Sequence, residues 1–130
     1  MSKTTYFPDR GDLVNLDFSP SALHELTSRH YALVVSTKSF SKLTGFALVC
    51  PITSNTTPWP FDVLIPKGIL PPKQGKPVDS VILTDQVKSV DYRDRGCTFV
   101  CKAPDDVLDE ALAKVRAIID SDDVADELSR

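Results

Sequence analysis

Asp12-Leu13-Val14-Asn15-Leu16-Asp17-Phe18 is the stretch that decides the fold class. Val14, Leu16 and Phe18 alternate with Asn15 and Asp17, which is the period of two expected of a half-buried strand. Ser19-Pro20 closes it, because proline has no N–H to give a ladder. Working outward, Tyr31–Ser36 is a short apolar run with β-branched residues and reads as a buried strand. Phe46–Ile52 reads as another, interrupted near its end by Pro51. Phe61–Ile65, Val81–Thr84, Gln86–Val90 and Thr98–Lys102 are further strands. Ser21–Ser28 is a polar connection, Ser39–Thr44 one helical turn stopped by Gly45, Thr53–Pro60 a loop and Tyr92–Gly96 a charged turn. Pro66–Pro77 holds four prolines and two glycines and reads as an irregular surface loop.

The chain ends in a helix. Pro104 suits its first turn, and Asp105 and Asp106 suit the positive end of its dipole. Leu108, Ala111, Leu112, Val115, Ile118 and Ile119 recur at helical spacing and form one stripe for packing on the sheet. Short strands joined by turns and closed by one helix predict a mainly β fold: a small, strongly bent antiparallel sheet or open barrel. A parallel α/β arrangement is disfavoured because crossover helices are missing.

With 130 residues, 42% hydrophobic and 25% charged, the chain fits one domain over residues 1–120. Residues 121–130 form an acidic tail, expected to be loose. No apolar run is long enough to cross a bilayer, and Met1–Asp12 lacks a secretory apolar segment, so the expected location is the cytoplasm, away from membranes. Cys50, Cys97 and Cys101 make a poor disulfide framework. Their even spacing would put Cys97 and Cys101 on one face of a strand. Neither they nor the two histidines have metal-ligand spacing, so no metal and no cofactor is expected. The net charge is −3, but Lys67–Lys102 carries seven bases against four acids, which allows a local basic surface.

No phosphate-binding glycine loop or nucleophile elbow occurs. Polar residues instead gather in segments beside apolar strands: His24, Glu25, Arg29 and His30; then Thr53 and Ser54; then Asp85, Gln86 and Lys88. These types suffice for RNA cleavage without a metal. Glu or His can move protons, Arg can grip phosphate oxygens, and hydroxyls can complete an anion site. Trp59, Phe61 and Tyr92 are candidate stacking groups for unpaired bases. Taken one at a time, each residue has an ordinary structural explanation as solvated surface, turn or core.

Their order along the chain is more specific. Phe7-Pro8-Asp9-Arg10-Gly11-Asp12-Leu13-Val14 and Leu16-Asp17-Phe18-Ser19-Pro20 resemble the opening of the MazF/PemK toxins. His24-Glu25, Thr44-Gly45, Pro51-Ile52-Thr53-Ser54 and Pro60-Phe61-Asp62-Val63 are similar to the segments that follow in that family. Asp85-Gln86-Val87-Lys88-Ser89, then Arg93-Asp94-Arg95-Gly96, is the most specific match.

The resemblance implies an SH3-like barrel, a homodimer, and a metal-independent endoribonuclease that cuts single-stranded RNA through a 2′,3′-cyclic phosphate. It also implies a cognate antitoxin. Glu25, Arg29, His30 and Thr53 are the expected catalytic residues, with Glu25 accepting a proton and Arg29 or His30 serving phosphate contact and proton donation. His24, Ser54, Asp85, Gln86 and Lys88 are the expected RNA-binding residues. The chain departs from the family where an Arg-Pro pair precedes the second strand: here the pair is His30-Tyr31, with Arg29 one position earlier. Leu83 likewise stands where PemK-type members carry an Arg. The alternative reading is a toxin-fold protein that binds RNA or gyrase without cutting.

Overall fold

The computed structural model describes residues 5–18, 29–55, 58–72 and 74–128. The elements run β1 (Asp12–Asp17), β2 (Arg29–Val34), α1 (Lys38–Thr44), β3 (Phe46–Thr53), β4 (Asp62–Ile65), β5 (Ser80–Leu83), β6 (Lys88–Asp91), β7 (Thr98–Lys102), α2 (Asp105–Asp120) and α3 (Val124–Leu128). Every strand pairing is antiparallel, in the order β4-β5-β3-β2-β1-β7, with β6 also on β3. The result is the mainly β, strongly bent small barrel with a C-terminal helix.

β3 carries the bend. Phe46–Val49 pair with β6, whereas Ile52 and Thr53 pair with β5. Pro51 falls in the gap where that edge changes partner, so its missing N–H costs no bond there and the strand runs through it to Thr53. The central strands are buried on both faces, which is why they read as continuous apolar runs. Leu13, Leu33, Cys50 and Ile52 face α2 and pack with Val107 and Ala111. Val14, Leu16, Ala32, Val34 and Val49 face the other way and pack with Val90 and Tyr92.

β2 begins two residues before the expected Tyr31, because Asp17↔Arg29 and Leu16↔His30 extend its ladder with β1. α1 is capped by Thr37, whose side chain accepts from Phe40 N, and ends at Gly45 in the left-handed region (φ 79°).

Four expectations change. Cys97 and Cys101 do not share a face: Leu13 pairs with Cys101 and Val14 with Phe99, so a bulge at Val100 reverses the alternation. Cys101 consequently packs on the α2 side and Cys97 on the opposite one. The helix stripe is only partly used. Leu108, Ala111, Leu112 and Val115 pack, but Ile118 and Ile119 are 41% and 74% exposed. A 16-residue helix runs about 24 Å and overshoots the four-residue β4 beside it. Pro104 stands at the N-cap rather than inside the first turn, and part of the acidic tail forms α3.

The segment before β1 is held by Asp12, which is 2% exposed. Its Oδ2 accepts from Tyr6 Oη at 2.5 Å and from Asp9 N at 3.0 Å. Its Oδ1 meets Lys102 Nζ at 2.5 Å as an ion pair rather than an aligned hydrogen bond. Among the described residues, no helix is long and apolar enough to cross a membrane.

Candidate active site

The start of β2, the end of β3 and the start of β5 meet around a cavity of about 440 Å³. Arg29 and His30 border it from β2, Thr53 and Ser54 from the end of β3, and Asn15 from β1. Although Arg29 and His30 are adjacent on β2 and point to opposite faces, both border this cavity, which lies at the start of the strand.

Arg29 is held on three sides. Its Nε donates to Asn15 Oδ1 at 2.7 Å, and its Nη2 donates to Gly96 O at 2.7 Å and to Asn15 O at 3.3 Å. The Nε/Nη2 edge is therefore bound within the protein, and only the Nη1 side remains to meet a phosphate. Gly96 makes room for this: it has φ 60°, and a Cβ there would lie 3.1 Å from Arg29 Nη1. His30 is exposed, with its ring centroid 6.1 Å from that of Phe18.

Thr53 Oγ1 accepts from Asn55 N at 3.1 Å. That bond fixes the oxygen and leaves its own proton to donate to a ligand. Opposite these polar groups, the 66–79 chain supplies Leu70, Pro71, Pro72, Gln74 and Val78. Sequence reasoning marked this segment only as an irregular loop. Its density of prolines was the available signal that it is a built surface.

Asp85, Gln86 and Lys88 do not line this cavity. Thr53 pairs with Val81, and antiparallel β5 then runs away from it, carrying the 85–88 turn toward Cys50 and Val49. Asp85 Oδ2 instead accepts from Trp59 Nε1 at 2.9 Å. Gln86 is exposed, and Lys88 borders a separate depression with Asp17, Phe18 and Arg95. Trp59 is exposed and 5.9 Å from the Phe61 ring. Tyr92 is no stacking group: it is 2% exposed and its hydroxyl donates to Ser41 O at 2.9 Å. His24 and Glu25 lie outside the described residues.

The described bases of the 67–102 segment differ in exposure and partners. Lys67, Lys76 and Arg93 are exposed, Arg95 is half-buried, and Lys102 is taken up by Asp12. Burial pushes the Cys50 and Cys97 thiols up to about 12, with Asp85 adding to the first and Asp12 to the second. Burial, with Asp85 nearby, also raises the Asp62 carboxyl. Among the described residues, no group of three His, Cys, Asp or Glu side chains is placed to hold a metal.

The model of the PemK-like, MazF-like toxins of type II toxin–antitoxin systems matches residues 9–119. The chain belongs to this family. Among its relatives, the endoribonuclease toxin MazF of Escherichia coli is 33% identical over 114 residues, covering 88% of this chain and 96% of that protein. The endoribonuclease toxin ChpB of Escherichia coli is 32% identical, covering 86% and 94%. Among solved structures, a MazE–MazF structure from Deinococcus radiodurans is similar with a TM-score of 0.73 and 33% identity, covering 89% of this chain and 98% of that one. MazF alone from the same organism gives 0.69 and 37%, covering 88% and 98%. The barrel and helix of this PemK/MazF-like chain are thus a shared architecture, and the 29–30 and 53–54 segments are where it gathers polar groups beside a cavity.

Proposed function

We propose that this toxin-family chain is a metal-independent endoribonuclease that cuts single-stranded RNA, leaving a 2′,3′-cyclic phosphate. The single observation that carries the reading is the convergence of Arg29, His30, Thr53 and Ser54 on one cavity. Relatives named endoribonuclease toxins support it.

In the proposed step, Glu25 takes the proton of the ribose 2′-OH, and the 2′-oxygen attacks phosphorus. The bond from phosphorus to the 5′-oxygen breaks, and His30 gives that oxygen a proton. Arg29 is unsuited to the donor role, because a guanidinium does not deprotonate in proteins. It contributes charge through Nη1, and the Thr53 hydroxyl donates to a phosphate oxygen as negative charge grows there. Ser54 contacts the phosphate or sugar. His24, Asp85, Gln86 and Lys88 bind RNA on either side of the cut. The protein works as a homodimer in the cytoplasm, and an antitoxin restrains it, as MazE–MazF structures of relatives suggest.

The test is incubation of the purified protein with a long single-stranded RNA in EDTA. Defined cuts with cyclic-phosphate ends are expected, blocked by a 2′-deoxy substitution at the cut and lost in Glu25→Ala. An intact RNA, or cutting unaffected by Glu25→Ala, would overturn the proposal. A second reading, binding without cleavage, draws on the capture of the Arg29 fork by Asn15 and Gly96. Intact RNA together with tight RNA binding, or an effect on gyrase, would favour it.

A further inference from the structure

The cavity has two unlike walls. The strand side offers Arg29, His30, Thr53 and Ser54, which suit a sugar–phosphate linkage. The 66–79 side offers Leu70, Pro71, Pro72 and Val78, for which a phosphate has no use. A nucleobase does: its faces are flat and apolar, while its edges carry donors and acceptors. Among the described residues that line this wall, Gln74 is the one side chain with both a donor and an acceptor, and its carboxamide can pair with a base edge.

One end of this wall is anchored on the core. Ile69 and Leu70 pack against the core, and the Cys101 thiol meets Ile69 O at 3.6 Å. Pro71, Pro72 and Pro77 fix their own φ angles. Gln74 holds φ 51° and Gly75 φ 78°, so the chain reverses at the tip and returns with Val78 beside the cavity. A non-glycine residue is uncommon in that region, and here it places Gln74 at the reversal, exposed and bordering the cavity.

We propose that the 66–79 segment is the base-reading wall of the site: it holds one unpaired nucleobase beside the scissile linkage, and Gln74 makes the edge hydrogen bonds that select it. This rests on the RNA reading above, and it assigns selectivity to a segment outside the polar clusters that sequence reasoning singled out.

The experiment separates the two ideas by measuring binding without cleavage. A random single-stranded RNA pool with 2′-fluoro sugars cannot form a cyclic phosphate. It is selected on the full-length protein and sequenced, in parallel with Gln74→Gly. Glycine relieves the positive φ, so this variant should melt no lower than the parent.

The parent should enrich one base at one position about tenfold or more, and Gln74→Gly should reduce that preference to under about threefold while other positions hold. An unchanged motif in Gln74→Gly would overturn the inference. So would a parent that binds the pool without base preference, or does not bind it. A parent that selects a base but cuts no RNA would sink the nuclease proposal and leave this one standing.

Discussion

Arg29 Nη2 donates to the carbonyl of Gly96 at 2.7 Å, tying the start of β2 to the turn that leads into β7. A side chain in place of this glycine would crowd the guanidinium, since a Cβ would sit 3.1 Å from Arg29 Nη1 at a backbone φ of 60°. Gly96→Ala should therefore combine backbone strain with displacement of the guanidinium. The expected cost is about 1 kcal/mol, a melting temperature lower by roughly 3–6 °C, with weaker RNA cleavage. A variant that melts and cuts like the parent would show that the guanidinium does not depend on this contact.

Arg29 and His30 should separate by mutation. Arg29→Lys loses the fork that spans Asn15 and Gly96, so stability and cleavage should fall together, cleavage by about ten- to a hundredfold. His30→Ala removes an exposed ring, so stability should change by less than about 0.5 kcal/mol while cleavage drops about 10²- to 10⁴-fold. Thermal melts beside cleavage rates measure both. Equal activity in His30→Ala and the parent would remove His30 from the proposed proton transfer.

The thiols should differ in reactivity. Cys50 and Cys97, pushed up to about 12 mainly by burial, carry almost no thiolate at pH 8. Cys101 is raised as well, by burial alone, but is less enclosed. Iodoacetamide at pH 8 followed by peptide mass spectrometry should label Cys101 first in the folded protein and all three at similar rates in denaturant. Labelling of native Cys97 as fast as Cys101 would contradict the deeper burial of Cys97.

Asp9 gives a pH signature. Its carboxylate accepts from Lys38 N and Arg10 N, both at 2.9 Å, and the Lys38 N–H is the main cause holding it below the usual 3.8. A carboxyl lowered in the folded state contributes stability above its unfolded value and loses it as pH falls through the lower folded value. As pH falls below about 4, the parent should thus lose melting temperature more steeply than Asp9→Asn. The difference is small because the group is largely solvated. Parallel curves would mean that the two N–H contacts do not favour the ionised form.

The strands were legible because Val14, Leu16 and Phe18 alternate, and because Tyr31–Ser36 and Phe46–Ile52 are buried on both faces and so run apolar without a break. The facing of Cys97 and Cys101 was not legible. It depends on how β7 registers against β1, and Thr98–Lys102 has no alternation strong enough to reveal an extra residue at Val100. Arg29, His30, Thr53 and Ser54 could be named from residue type and order, since strand ends bring polar residues to the rim. The apolar wall was hidden for the opposite reason. A proline-rich segment has no periodicity, so nothing in its pattern tells which side of it meets the rest of the chain.

β3 serves two neighbours along one edge, and its residues thereby act as a ruler across the surface. Lys88 stands opposite Val49, four positions from Thr53. At about 3.3 Å per residue, the two lie roughly 13 Å apart along the strand. Under the proposed RNA reading, a single strand that touches both must reach well past one ribose–phosphate repeat, so the shortest RNA able to use the whole surface would be set by the length of β3 and not by the volume of the cavity.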